Sequence, residues 1–135
     1  MKLYNIEKYS PCLEALAWYK TQPDSRTAWN NCPRGDWMLW IAQKMGVDER
    51  LLTLAKGYCA KTVMHLMKDK RSRKAVDVAI EYGQGKVTKK ELIYYAAAAY
   101  AADAVDAAKK TNRIKTADIC REHLTDAVFS IIDGK

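Results

Sequence analysis

Apolar residues recur every three or four positions along most of this chain, and no convincing strand-like alternation interrupts them. The recurrences come in separate runs, each with its own start and stop signals. Ser10-Pro11 opens the first, with Ser10 as N-cap and Pro11 at the first helical position. Leu13, Leu16 and Ala17 follow at helical spacing, and Pro23 ends the run. Asp24 can cap a short helix through Trp29. Asp36 can cap the next, from Trp37 to about Met45, with Gly46 as its stop. Trp37, Trp40 and Ile41 share one face of that helix, with Lys44 at its edge, so both indoles are expected in the core.

Val47-Asp48 starts a longer run. Asp48 caps it and Val47 can staple onto Leu52. Leu51, Leu52, Ala55, Tyr58, Cys59, Thr62, Val63, Leu66 and Met67 then trace a wide apolar stripe. Gly57, inside that stripe, marks either a close helix crossing or a weak turn. Another helix is expected from about Arg71 to Tyr82, with Ala75, Val76, Ala79 and Tyr82 on one side and Gly83 and Gly85 ending it. Thr88 and Glu91 make a capping box, with Val87 and Leu92 as a second staple. The alanine-rich helix that follows carries Leu92, Ile93, Tyr95, Tyr100 and Val105 at core-like intervals. Its small side chains would admit a close neighbour, which places it centrally, and Asp106 and Lys110 pair on its wet side. "TNRIKT" breaks the pattern. Thr116 caps a last helix with the inner stripe Ala117, Cys120, Leu124, Ala127, Val128 and Ile131. The runs predict an all-α fold, a compact, mostly antiparallel bundle of about six helices in a single domain, residues 1–135.

Composition bounds the setting. A chain of 135 residues can bury enough surface to need no disulfide or metal. No apolar run approaches the ~20 residues that cross a bilayer, and the opening "MKLYNIEKYS" has no signal-peptide core, so a cytoplasmic protein is expected. Cys12, Cys32, Cys59 and Cys120 are scattered without a CxxC pair, which reads as reduced thiols rather than a zinc knuckle. The net charge is +7, with most of the excess after residue 60.

Arg34-Gly35-Asp36 has the letters of an adhesion signal, but turn and cap chemistry accounts for all three residues. Pro33 and Gly35 make a turn, Asp36 caps, and Arg34 is free to pair with a nearby carboxylate. The stretch "CPRGDWMLWIA", with "RSRKAVDVAIEYGQGKVTKKEL" further on, resembles the immunity-protein-five-like family of bacterial polymorphic-toxin loci, also found in phage and prophage genomes. The likeness covers roughly residues 11 to 110, and this chain is shorter than many members in the alanine-rich tract. The resemblance implies a non-enzymatic binding protein, immunity-like or a phage accessory factor, with no catalytic residues to carry over.

Little else in the chain points to catalysis. No Walker loop, GxGxxG, nucleophile elbow or HExxH occurs. Cys120 and His123 could make half a metal site only if Cys59 or His65 joined them, so no metal or other cofactor is expected. The strongest local charge signal is Lys68-Asp69-Lys70-Arg71-Ser72-Arg73-Lys74, followed by Lys86, Lys89 and Lys90 and then by Lys109, Lys110, Arg113 and Lys115. Two readings follow. In the first, an unidentified protein partner, a toxin in the immunity reading, is met through Arg34, Arg71, Arg73 and Lys74, and so positive a chain suits an acidic or apolar partner surface. In the second, Lys68, Lys70, Arg71, Arg73 and Lys74 bind nucleic acid without sequence preference, aided if two basic groups meet at one end of the bundle.

Overall fold

The computed structural model describes residues 3–100 and 113–134, without the side chains of 96–100. The helices are α1 (Leu13–Lys20), α2 (Ser25–Asn31), α3 (Gly35–Met45), α4 (Glu49–Lys61), α5 (Lys70–Gly83), α6 (Lys89–Tyr100) and α7 (Arg113–Asp133), with short 3-10 turns at Glu7–Tyr9 and Met64–Leu66. The fold is all-α, and no strand occurs among the described residues.

Most starts follow the cap chemistry. Asp24 accepts from the Thr27 amide at 2.8 Å and Asp48 from the Leu51 amide at 3.2 Å. Thr88 and Glu91 each accept the other's amide at 3.2 Å, closing the capping box. Three expectations fail for local reasons. Ser10 turns left-handed at φ 56° behind the first 3-10 turn, so α1 starts beyond Pro11 and leaves Leu13 84% exposed. The α4 stripe ends early: the Thr62 hydroxyl donates to the Cys59 carbonyl at 2.7 Å and the chain tightens into a 3-10 turn. Thr116 lies inside α7 rather than at its start, because its hydroxyl donates to the Arg113 carbonyl at 3.0 Å.

α7 holds the fold together. Its expected inner stripe buries Ala117, Cys120 and Leu124 completely and Val128 to 2% exposure, packing on α3 and α4 and touching α2. α4 faces α7 on one side and α5 on the other. α5 in turn contacts both α4 and α6, and it buries Val78 and Ile80 as well as the expected Val76 and Tyr82. A Cβ on Gly57 would come within 2.8 Å of Ile80 Cγ1, so this glycine marks a helix crossing. The described part of the alanine-rich helix packs on α5, with Ile93 and Tyr94 exposed, and α7 takes the central place expected of it. Val105, Asp106 and Lys110 lie outside the described residues.

α3 and α7 approach closely at Gly35, where a Cβ would sit 2.5 Å from the Thr116 carbonyl carbon. That backbone cannot yield as a flexible side chain would. Gly35→Ala is expected to lower unfolding free energy by about 1–3 kcal/mol, read as a lower midpoint in urea at unchanged slope.

Candidate functional site

α3 buries the face carrying Gly35, Met38 and Ala42 against α7. At 100° per residue, Trp37, Trp40 and Ile41 fall on the opposite side. They are half-buried, and they line a cavity of about 600 Å³ rather than filling the core as expected. α1 contributes Ala15, Trp18 and Tyr19, α2 contributes Ser25, Ala28 and Trp29, and α7 contributes Val128, Phe129 and Ile132. The segment before α1 adds Tyr4, Ile6 and Pro11. All four tryptophans of the chain and its one phenylalanine therefore surround a single space. Trp18 tilts against Trp37 at 6.1 Å, and Trp29 meets Phe129 edge-on at 6.4 Å.

Several polar groups of this wall satisfy one another. The Tyr19 hydroxyl donates to the Tyr4 carbonyl at 2.7 Å and lies 2.9 Å from Ser25 Oγ, which accepts the Tyr4 amide. The Trp29 indole donates to Thr125 Oγ1 at 2.8 Å. Arg121 donates to the carbonyls of Trp29 and Cys32 at 3.0 and 2.9 Å, holding the end of α2. Arg34 makes a two-pronged pair with Asp36 at 3.1 and 2.7 Å, lies 4.4 Å over the Trp37 ring and reaches Glu14 of α1 at 3.7 Å. Burial pushes the Asp36 carboxyl up, but the Arg34 hydrogen bonds and charge, with Arg113 beyond, bring it below its ordinary value. Among the described residues, no buried side-chain nitrogen or oxygen lacks a partner.

This geometry corrects the reading of Arg34-Gly35-Asp36. α3 begins at Gly35 with Arg34 at the N-cap position, so Asp36 lies in the first turn and spends both carboxylate oxygens on Arg34. Gly35 is buried, and the triplet is not a displayed loop.

The basic side chains are not gathered around this cavity. Arg34 lines it, whereas Arg71, Arg73 and Lys74 project from the first turns of α5, a helix that packs on α4 and α6. Lys68, Lys70, Arg71, Arg73 and Lys74 are exposed. Arg71 is paired with Asp69, which also caps α5 through the Arg71 amide at 2.8 Å, and Lys74 Nζ lies 5.6 Å from the Tyr95 ring centroid. Lys86 and Lys89 belong to the other end of α5, about 20 Å along its axis, and Lys89 pairs with Glu49 at 2.6 Å. Lys109 and Lys110 lie outside the described residues.

Cys32, Cys59 and Cys120 are buried and Cys12 is exposed, all as free thiols. The hydrogen bond it shares with Cys59, reinforced by burial, pushes Cys120 up and keeps it a thiol. Cys120 donates to the Gly35 carbonyl at 3.7 Å, while His123 stacks on Tyr58 at 4.9 Å. No group of three or more His, Cys, Asp or Glu side chains suited to a metal ion occurs among the described residues. No helix among them is long and apolar enough to cross a membrane.

The cavity was hidden in the sequence because a residue lining a space and a residue filling one carry the same periodicity. The available signal was excess: α3 offers two apolar faces where one neighbour needs only one.

No protein-family model, curated protein or solved structure matches the chain.

Asp69 gives a test of the basic segment. Hydrogen bonds from the Arg71 side chain and amide hold its carboxyl at about 2, below the ordinary 3.8. Its contribution to α5 is therefore complete above the ordinary value and is lost as pH falls through about 2. A carboxyl-carbon NMR titration is expected to show this low midpoint, and Arg71→Ala should move it back toward 3.8.

Proposed function

We propose that this chain is a non-enzymatic binding protein whose recognition element is the tryptophan-lined cavity. The observation that carries this is the convergence of all four tryptophans on one space of about 600 Å³. That volume falls among ligand sites, which are apolar with few polar groups. Solvent-accessible indole surface is costly to leave uncovered, and covering it supplies binding energy. The binding role implied by the motif resemblance is kept. Its point of contact moves from Arg34, Arg71, Arg73 and Lys74 to the cavity, where an apolar group would be covered on several sides. Arg34 then serves as part of the wall.

N-phenyl-1-naphthylamine, a neutral dye that brightens in apolar sites, tests this directly. Its emission should rise and saturate at one dye per chain. Trp40→Ala should weaken the affinity about tenfold or more with helical circular dichroism retained. Unchanged dye emission in the presence of the folded protein would end the proposal.

One observation favours a second reading. Lys74 lies 5.6 Å from the ring of Tyr95, which meets Tyr94 edge-on; Tyr94 is 70% exposed, and Lys68, Lys70 and Arg73 are exposed in the same basic segment. Cations beside exposed rings suit single-stranded nucleic acid. Labelled oligothymidine should then be retarded at about 50 mM salt, and the triple change of Lys70, Arg73 and Lys74 to Glu should abolish retardation. Migration identical to free oligonucleotide at that salt would exclude this reading.

A further inference from the structure

The cavity's charge arrangement narrows what it can hold. Among the described residues, two charged side chains line it, Arg34 and Asp36, and they neutralise one another. Both Asp36 oxygens are taken by the guanidinium, which also covers one face of Trp37 and reaches a second carboxylate, Glu14. An entering anion finds the cation already paired. An entering cation finds the carboxylate engaged and a like charge on the indole face it would seek. Lys44 and Lys8, near the Trp40 and Tyr4 rings, are exposed and do not line the cavity. The hydroxyls of Tyr19 and Ser25 spend their hydrogen bonds on the Tyr4 backbone and on each other, and no buried polar atom among the described residues is left calling for a partner.

From this we infer that the cavity takes a neutral, ring-bearing small molecule, held by stacking and apolar contact with Trp18, Trp37 and Trp40. The inference rests on the cavity being the recognition element. It goes further in naming the charge and type of the occupant. A small molecule suits the space better than a protein segment. The walls come from α1, α2, α3, α7 and the segment before α1, so a compact ring system meets apolar surface on several sides at once. A compact ring system needs only the mouth.

The test uses one ring in three charge states. Naphthalen-1-ylmethanol, 1-naphthoate and 1-naphthylmethylammonium compete at neutral pH against N-phenyl-1-naphthylamine bound to the whole chain. The neutral alcohol should displace the dye at about tenfold lower concentration than either ion, since each ion must shed water without gaining a counter-ion. In Asp36→Asn, Arg34 loses its closest carboxylate. The affinity of naphthoate relative to the alcohol should then rise about tenfold. Equal or better displacement by either ion in the unaltered protein overturns the inference, as does an unchanged ratio in Asp36→Asn. A tryptophan-containing peptide that displaces the dye at lower concentration than the alcohol also overturns it, in favour of a protein anchor. Failure of the dye itself to bind is a different result and removes the cavity reading altogether.

Discussion

The seating of α3 on α7 decides what the rest of the molecule can do. Met38 and Ala42 on one helix meet a partner that buries Ala117, Cys120 and Leu124 completely, and Gly35 lets the backbones close up at Thr116. Burying side chains such as Met38 and Leu124 stabilises the fold by about 1.5–3 kcal/mol each. Small residues on both sides let these larger ones reach full contact. Once that face is fixed, helix geometry places Trp37, Trp40 and Ile41 on the other side of α3, facing the cavity. The cavity is thus a consequence of how well the other side of α3 packs. α1, which contributes another wall, buries no residue fully. It is held through edge contacts: Trp18 on Trp37, Glu14 on Arg34, and Tyr19 on Ser25 and Tyr4. An element held this way opens at lower free energy than the core helices, which suits a wall that a ligand must pass.

Much of the fold was legible in the sequence because caps and small inner stripes act locally. Asp24, Asp48 and the Thr88–Glu91 box begin helices where the letters said they would, and the α7 stripe is buried at Ala117, Cys120, Leu124 and Val128, with Ala127 and Ile131 partly buried. What was not legible depended on neighbours. Trp37 and Trp40 drew the core assignment because they carry the larger apolar area, yet the closer contact is made by Gly35, Met38 and Ala42. Val78 and Ile80 lay off the stripe assigned to α5: Ile80 meets α4 at Gly57, so the face turned to α4 is wider than that stripe, and α6 is a second neighbour. Ser10 and Thr116 misled for another reason. Both are residues whose side chains favour helix starts, but Ser10 was diverted into a left-handed turn and Thr116 turned its hydroxyl back onto its own helix.

Two arginines show how context separates chemically equal pairs. Arg34 and Arg71 each bind, in two-pronged fashion, an aspartate two residues away. Arg71 keeps 56% of its side chain exposed, and its pair does little beyond the first turn of α5. Arg34 keeps 17%, lies on Trp37 and reaches across to α1. Its stem and guanidinium cover indole surface as an apolar group would, so its charge is neutralised and its area is used. The net charge of +7 therefore describes the outside of this protein and says little about the cavity.

A wall built this way has a definite selectivity. Rings and aliphatic side chains attract without strong direction, so a single hydrogen bond does little to fix an occupant's orientation. Shape must do that work, and the shape is partly adjustable. Met45 lines the space and can repack around different outlines, and the edge-held α1 can shift. Charge is the property that cannot adjust, because Arg34 and Asp36 already satisfy each other and any ion entering must stay unpaired or break them apart. Such a site tolerates variation in the outline of a neutral ring system and rejects the same ring system once it carries charge.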